Sequence, residues 1–183
     1  VRDVVAIKEE TGLPVIGLIK IQYEGYDAYI TPTMKEVDEL VEAGADIVAL
    51  DCTIRKRGDG TTINEFIAQI KEKYPDLMLM ADVSNYEEGV NAWKCGVDIV
   101  GTTMSGYTPY TEAKDGPDYE LMSHLAADLD IPVIGEGKIH SPEEAVKALS
   151  TGVWAIVVGG AITRPLEIAQ RFMNAIAKAK GEA

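Results

Sequence analysis

Six short apolar runs of this sequence each end on a polar or small residue. The residues that end them are Lys20, Asp51, Asp82, Thr103, Glu136 and the pair Gly159 and Gly160. In a (β/α) barrel, the carboxyl ends of the parallel strands meet on one face and carry the reactive groups. An amine and several carboxyl groups on one face are suited to moving protons. The spacing therefore predicts an enzyme that uses acid and base catalysis.

Lys20 and Glu136 are the predicted catalytic residues. Lys20 closes the apolar run PVIGLIK, where desolvation would lower the pKa of its ammonium toward a value suited to proton transfer or imine formation. Glu136 is flanked by two glycines and is the predicted partner acid or base. The alternative for Lys20 is a structural ion pair with Asp51 or Asp82. Those aspartates are expected to orient Lys20 or to bind substrate hydroxyls.

Glycine-rich segments late in the chain predict a phosphate site. Gly137 follows one apolar run and Gly159 and Gly160 follow the next. In barrels, the loops after the last two strands commonly bind phosphate, and glycine lets backbone N–H groups approach an oxyanion. Arg164 follows at a predicted helix start, where a positive charge suits a nearby anion. The alternatives are that the glycines permit close helix packing and that Arg164 is solvated or pairs with a surface acid.

Three basic residues lie between positions 53 and 60, directly after the run that ends at Asp51, and Arg55 is the candidate substrate contact among them. We expect this loop to attract anions.

His124 and His140 form no recognisable zinc motif with the two cysteines, so no metal and no cofactor is predicted. Magnesium held by strand-end carboxylates is a less attractive alternative beside a lysine charge.

The elements that would position these residues alternate regularly. Capping-box patterns, each with a glutamate three residues later, predict helix starts at Thr33, Thr62, Ser84 and Ser141. The apolar runs show little alternation, which indicates parallel strands covered on both faces. A doubly wound sheet would look similar, but the even spacing of the runs and the reactive residues at most of their ends favour a barrel.

We therefore predict an α/β fold of the (β/α)8 TIM-barrel type, with six strands visible and a single domain over residues 1–183. Because phosphate loops usually follow strands seven and eight, the six runs are expected to be strands three to eight, with the first two βα units lacking. Such a sheet would expose strand edges, which makes a homo-oligomer plausible.

Composition restricts the function classes. The net charge of −13 argues against a nucleic-acid partner. No apolar stretch approaches the roughly 20 residues of a membrane-spanning helix, so no membrane partner is predicted. There is no secretory signal pattern, and Cys52 and Cys95 are typical of reduced thiols, so we expect a cytoplasmic protein.

Several segments together resemble the N-acetylmannosamine-6-phosphate 2-epimerase family. They are YITPT at 29–33, SGYTPY at 105–110 and VVGGAITRP at 157–165, in that order, with the runs ending at Lys20, Asp51, Asp82 and Glu136. The resemblance covers essentially the whole chain. It implies a bacterial enzyme of sialic-acid catabolism that interconverts N-acetylmannosamine 6-phosphate and N-acetylglucosamine 6-phosphate without a cofactor.

The resemblance also implies residue roles. Lys20 resembles the family's catalytic lysine, and Glu136 resembles its acid/base carboxylate. The predicted substrate-binding residues are Asp51, Asp82, Arg55, Tyr107 and Thr108, and the predicted phosphate-binding residues are Gly137, Gly159, Gly160 and Arg164.

Family members begin with two further βα units that bring a glutamine and an arginine to the same face, and the sequence contains neither unit. One alternative is therefore an inactive or structural barrel fragment that binds sugar phosphate. Another phosphosugar barrel enzyme, such as an aldolase with Lys20 as its Schiff-base nucleophile, is the second alternative.

Overall fold

The computed structural model describes residues 1–181 and contains one parallel sheet of six strands. The strands lie in chain order across the sheet, and every neighbouring pair is parallel. A doubly wound sheet would reverse its strand order at a switch point, whereas a barrel does not. The predicted barrel-type α/β fold with six strands is confirmed. The strands are Ile16–Gly17 (β1), Ile47–Asp51 (β2), Met78–Asp82 (β3), Ile99–Gly101 (β4), Val133–Glu136 (β5) and Ala155–Val157 (β6).

A helix precedes the first strand, and helices follow all the strands. Within residues 1–181, no helix is long and apolar enough to cross a membrane. The helices are Arg2–Thr11 (α1), Met34–Glu42 (α2), Ile63–Lys73 (α3), Tyr86–Lys94 (α4), Tyr119–Asp128 (α5), Pro142–Leu149 (α6), Gly160–Thr163 (α7) and Pro165–Lys180 (α8).

Three of the four predicted capping boxes are present. Thr33, Thr62 and Ser141 each cap a helix, with both reciprocal hydrogen bonds formed. The fourth helix start is one residue later than predicted, because Asn85 is the N-cap of α4 and accepts from the Glu88 backbone N–H at 2.9 Å. Asparagine caps as well as serine does, so the sequence pattern alone did not distinguish the two positions.

The central strands β2 to β5 are largely buried on both faces, as the unbroken apolar runs predicted, whereas β1 and β6 at the two sides of the sheet are partly exposed. Alternate residues such as Val48 and Leu50 pack with the helices in the larger core cluster. The residues between them point to the other face and form a second cluster inside the curve of the sheet. This inner cluster consists of Ala49, Met80, Ile99 and Ile134.

Strand β1 is shorter than predicted and ends before Lys20. The residues after Gly17 pair instead with a returning segment: the Thr31 N–H donates to the Ile19 carbonyl at 2.7 Å, and Lys20 forms an isolated antiparallel bridge with Ile30. Because this segment takes up the backbone hydrogen bonds of residues 19–21, the chain leaves the parallel sheet early.

Candidate active site

A cavity of about 350 Å³ opens at the carboxyl ends of the strands. Its lining brings together both predicted catalytic residues, one predicted substrate contact and all the predicted phosphate residues. These are Lys20, Glu136, Tyr107, Gly137, Gly159, Gly160 and Arg164. Asp51, Asp82, Arg55 and Thr108 do not line this cavity, and each has a different environment.

Lys20 lies at the cavity without the desolvation that its apolar run suggested. Its side chain is exposed, because β1 pairs only with β2 among the described strands. Within residues 1–181, the alternative ion pair with Asp51 or Asp82 is not formed. The ammonium acts at longer range, since its charge lowers the pKa of both Glu136 and Asp82.

Glu136 ends β5 with a half-buried side chain in the cavity. Burial raises the pKa of its carboxyl, while the Thr103 hydroxyl and the Lys20 charge oppose that rise. Its backbone is fixed by Thr102, whose hydroxyl accepts from the Glu136 N–H at 3.0 Å and donates to the Glu136 carbonyl at 2.8 Å. A carboxyl with a raised pKa on a fixed backbone is suited to acid and base work near neutral pH.

Asp82 ends β3, which β4 separates from β5, and is only 1 % exposed. The Thr103 hydroxyl donates to its Oδ1 at 2.6 Å, and within residues 1–181 no hydrogen-bond partner reaches its Oδ2. Burial raises the pKa of Asp82 to about 8, with the negative charges of Glu136 and Asp51 adding to the rise. Asp82 is therefore largely protonated at neutral pH, although it lies behind the cavity lining.

Asp51 has the opposite environment, because Arg55 pairs with its carboxylate. The Thr53 hydroxyl donates to Oδ1 at 2.6 Å and the Tyr29 N–H donates to Oδ2 at 3.2 Å. The Arg55 guanidinium also lies 5.0 Å from the centre of the Tyr29 ring, which lines the cavity. The pair therefore supports the cavity wall through Tyr29.

The basic loop does not present all its charges to anions, so that expectation was wrong. Arg55 is taken up by Asp51, and Arg57 is buried, donates to the Pro32 carbonyl and lies 4.0 Å from the centre of the Phe66 ring. A buried guanidinium needs such partners, and these are inside the fold.

Tyr107 and Thr108 are neighbours with different surroundings. Tyr107 lines the cavity, and the Lys138 ammonium lies 5.0 Å from its ring centre. Thr108 is buried, and its hydroxyl shares a 2.7 Å hydrogen bond with Thr111. Thr108 thus supports the loop that carries Tyr107.

The predicted phosphate residues all line the cavity. A Cβ added at Gly159 would meet no atom within 4 Å, so close helix packing does not explain this glycine. Arg164 forms a 2.7 Å ion pair with Glu167, as one alternative predicted, and both side chains are exposed. Thr163 lies inside the short helix α7, where its hydroxyl donates to the Gly159 carbonyl at 3.1 Å.

Sequence reasoning assigned no role to several cavity residues, among them Tyr29, Thr103, Lys138 and His140. Tyr29 lies in a segment that was singled out, and Thr103 was recognised as a strand end without a role. Lys138 lies two residues after Glu136, and this spacing could have indicated that it reaches the same face. No pattern in the sequence indicated His140. All four line the cavity.

Outside the cavity, Glu88 joins three loops of this face. Its buried carboxylate accepts from the Ile54 N–H at 3.0 Å, the Ser84 hydroxyl at 2.7 Å and the Tyr110 hydroxyl at 2.6 Å. Ile54 follows β2, Ser84 follows β3, and Tyr110 lies in the long connection after β4. One carboxylate on α4 therefore holds together the loops that follow three successive strands.

A parallel sheet in barrel order, with an amine and carboxyl groups gathered at the carboxyl ends of its strands, defines a (β/α)-barrel enzyme. A family model described as "Putative N-acetylmannosamine-6-phosphate epimerase" matches residues 1–178. The chain belongs to this N-acetylmannosamine-6-phosphate epimerase family.

Individual relatives agree with this assignment. The chain is 58% identical over 174 residues to a protein of Caldanaerobacter subterraneus subsp. tengcongensis named "Putative N-acetylmannosamine-6-phosphate 2-epimerase", covering 95% of the chain and 73% of that protein. A protein of the same name from Clostridioides difficile is 52% identical, with coverage of 96% and 78%. The solved N-acetylmannosamine-6-phosphate 2-epimerase from Clostridium perfringens superposes with a TM-score of 0.89 at 48% identity, covering 96% of this chain and 76% of that one.

Proposed function

We propose that this protein interconverts N-acetylmannosamine 6-phosphate and N-acetylglucosamine 6-phosphate by proton transfer at C2. The observation that carries the proposal is the placement of Lys20 and Glu136 in one cavity at the carboxyl ends of the strands. Family membership favours this activity over a Schiff-base aldolase and over an inert fragment.

Inversion at C2 needs two proton-transferring groups. In the open-chain sugar the C2 proton is acidic because it is α to the C1 carbonyl. A base removes it, the electron pair moves into the C1–C2 bond, and negative charge develops on O1. An acid on the opposite face then returns a proton to C2. We assign these two roles to Lys20 and Glu136, with the cationic side chain of Lys138 available to stabilise O1.

The phosphate group is proposed to bind at the part of the cavity that the glycines line. Gly137, Gly159 and Gly160 leave backbone N–H groups accessible, and Arg164 supplies a positive charge. Because the Arg164–Glu167 pair is exposed, exchanging its carboxylate partner for a phosphate costs little. Tyr107 is the proposed contact to the sugar, while Asp51, Arg55 and Thr108 are proposed to act on the substrate through the residues they support.

The test is proton NMR of N-acetylmannosamine 6-phosphate in deuterium oxide. We expect the protein to exchange deuterium into C2 and to form the second epimer. Lys20→Met and Glu136→Gln should each slow this exchange by at least about a hundredfold. Lys35→Met, which removes an exposed lysine on α2, is the matched control and should exchange normally. Normal exchange in the Lys20 and Glu136 variants would contradict their assignment.

The same samples separate the alternatives. Borohydride treatment with substrate traps a Schiff base, so an adduct on Lys20 would indicate aldolase-type chemistry. Specific sugar-phosphate binding without exchange or adduct would indicate the inactive fragment.

A cytoplasmic location and self-association are part of the proposal. Cys52 and Cys95 are free thiols, which suits a reducing compartment.

Helix α8 exposes large apolar side chains, and such a surface favours association between copies. They are Leu166, Phe172, Met173 and Ile176. Sedimentation equilibrium of the purified protein would measure the oligomeric state, and a monomer at all concentrations would contradict self-association.

A further inference from the structure

Thr103 connects a buried carboxyl group to the cavity. Its side chain lines the cavity, and its hydroxyl donates to Asp82 Oδ1 at 2.6 Å. Glu136 lines the same cavity, and the Thr103 hydroxyl lowers the pKa of the Glu136 carboxyl. A threonine hydroxyl carries one proton, so it can donate to only one of the two carboxyl groups at a time.

The environment of Asp82 determines to which group Thr103 donates that proton. Asp82 Oδ2 is buried and has no partner, which is costly for a carboxylate and much less so for a neutral carboxyl. When Asp82 is protonated, its own O–H can donate to Thr103 Oγ1. The Thr103 proton is then available to Glu136 or to a substrate oxygen in the cavity.

We propose that Thr103 is a positioning residue that couples the protonation of Asp82 to that of Glu136. When Asp82 is ionised, Thr103 donates to it and Glu136 loses a donor, which favours the protonated, acid form of Glu136. When Asp82 is neutral, Thr103 donates to Glu136 and favours its carboxylate, base form. The two carboxyl groups thus share one proton, and only its location changes. The role of Glu136 in this scheme rests on the proposed function.

Other charged groups shift the pKa of Asp82 but do not take the place of Thr103 as its hydrogen-bond donor. Asp51 raises the pKa of Asp82 and is itself paired with Arg55, whereas Lys20 lowers it from the cavity side. In the described part of the chain, Thr103 is the hydrogen-bond donor to the Asp82 carboxyl. The titratable groups that face Asp82 are Glu136, Asp51, Lys20, Tyr29 and Cys52.

Carbon-13 NMR titration of the side-chain carboxyls in the ligand-free protein tests the coupling. Asp82→Asn and Glu136→Gln assign the two signals. Thr103→Val keeps the shape of the side chain and removes the hydroxyl, so the carboxyl of Asp82 should titrate about one pH unit higher and the Glu136 titration should move with it. Thr103→Ser keeps the hydroxyl and should restore both titrations.

Thr53→Val is the matched control. The Thr53 hydroxyl makes an equally short 2.6 Å bond to a buried aspartate, Asp51, which keeps Arg55 and backbone N–H donors after the change. We expect the titrations of Asp82 and Glu136 to stay where they are in this variant. A common shift in Thr53→Val and Thr103→Val would show a general effect of hydroxyl loss and overturn the proposal.

Kinetics supply the second readout. In the C2 exchange assay, Thr103→Val should lower kcat by about ten- to a hundredfold and leave KM within about threefold, with the limbs of the pH profile displaced as in the NMR titration. Thr103→Ser should recover kcat. Unchanged carboxyl titrations in Thr103→Val, or a serine variant that behaves like valine, would overturn the proposal. If the unmodified protein exchanges no deuterium, the proposed function fails, while the ligand-free titrations still decide the role of Thr103.

Discussion

Asp51 and Asp82 are paired in the register of β2 and β3, yet only Asp51 has a cation beside its carboxylate. Both side chains are almost completely buried. The difference comes from the loop after each strand: the loop after β2 supplies Arg55, and Asp82 receives only the hydroxyl of Thr103. Two aspartates at equivalent strand ends therefore have different electrostatic environments.

Asp82 should make the protein less stable as the pH rises. The pKa of Asp82 is about 8 in the folded protein against a model value of 3.8, so the folded state holds a proton that the unfolded state releases. Between pH 4 and 8 this costs about 1.4 kcal/mol of unfolding free energy per pH unit. Asp82→Asn stays neutral, so its stability relative to the unmodified protein should improve across that window. Urea denaturation at pH 5 and pH 8 measures this, and a pH-independent difference would contradict it.

Asp38 provides a comparison of opposite sign. Hydrogen bonds from Lys73 and Tyr74 lower the pKa of Asp38, so its stabilisation is present above the unfolded pKa and is lost as the pH falls through the folded value. Asp38→Asn should therefore be less stable than the unmodified protein at neutral pH, and the two should converge in acid. The same denaturation series detects this convergence. A deficit that persists at low pH would argue against it.

Removing Arg55 should be far more damaging than removing an exposed ion-pair partner. Arg55→Met leaves the carboxylate of Asp51 buried without a cation, which typically costs about 3 to 5 kcal/mol. Lys73→Met breaks a pair whose side chains are 51% and 41% exposed, and should cost far less because solvent screens exposed charges. Chemical denaturation compares the two.

The double variant Arg55→Met with Asp51→Asn removes the buried charge as well. It should recover part of the stability lost in Arg55→Met. Equal losses in the Arg55 and Lys73 single variants would refute the importance of the buried pair.

The ion pair of Arg164 should compete with anion binding. We expect Glu167→Gln to strengthen binding of inorganic phosphate, because Arg164 is then released, and Arg164→Ala to weaken it. Both effects should shrink at high ionic strength. Calorimetric titration with phosphate measures the affinities. Lys178→Ala removes a charge at the other end of α8 and is the control. A loss of affinity in Lys178→Ala as large as in Arg164→Ala would mean that only net charge matters.

The capping box at the start of α6 should contribute measurably to stability. The Ser141 hydroxyl accepts from the Glu144 N–H at 3.2 Å, and Ser141→Ala should cost about 1 kcal/mol. Ser150 follows the same helix, where its hydroxyl donates to the Lys147 carbonyl at 2.7 Å. Ser150→Ala should cost less, because it removes no helix N-cap. Comparable thermal-denaturation shifts for the two variants would contradict the capping argument.

Much of the fold was predictable because strand and helix signals are local. Buried strands need unbroken apolar runs, and helix starts need caps, so Asp51, Asp82 and Glu136 were correctly placed at strand ends. Lys20 was misplaced relative to its strand because the segment at 29–31 competes for its backbone hydrogen bonds. That competition depends on the returning chain, which the apolar pattern around Lys20 does not encode.

The site was less predictable than the fold. The sequence identified which residue types reach the carboxyl face, and Lys20 and Glu136 do share a cavity. It did not reveal that Arg55 is taken up by Asp51 or that Thr103 lies between two carboxyl groups. Partner choice depends on side-chain directions across neighbouring strands, and spacing along one strand contains no information about it.

The hydrogen bonds of Glu88 limit how this protein can change. Loops after barrel strands are often regarded as exchangeable modules on a fixed scaffold, yet here those after β2, β3 and β4 converge on one carboxylate. A replacement for any one of these loops must still offer Glu88 a hydrogen-bond donor. Otherwise the buried carboxylate on which the other two loops also depend loses a partner. Grafting or randomising a single loop of this face therefore amounts to redesigning three.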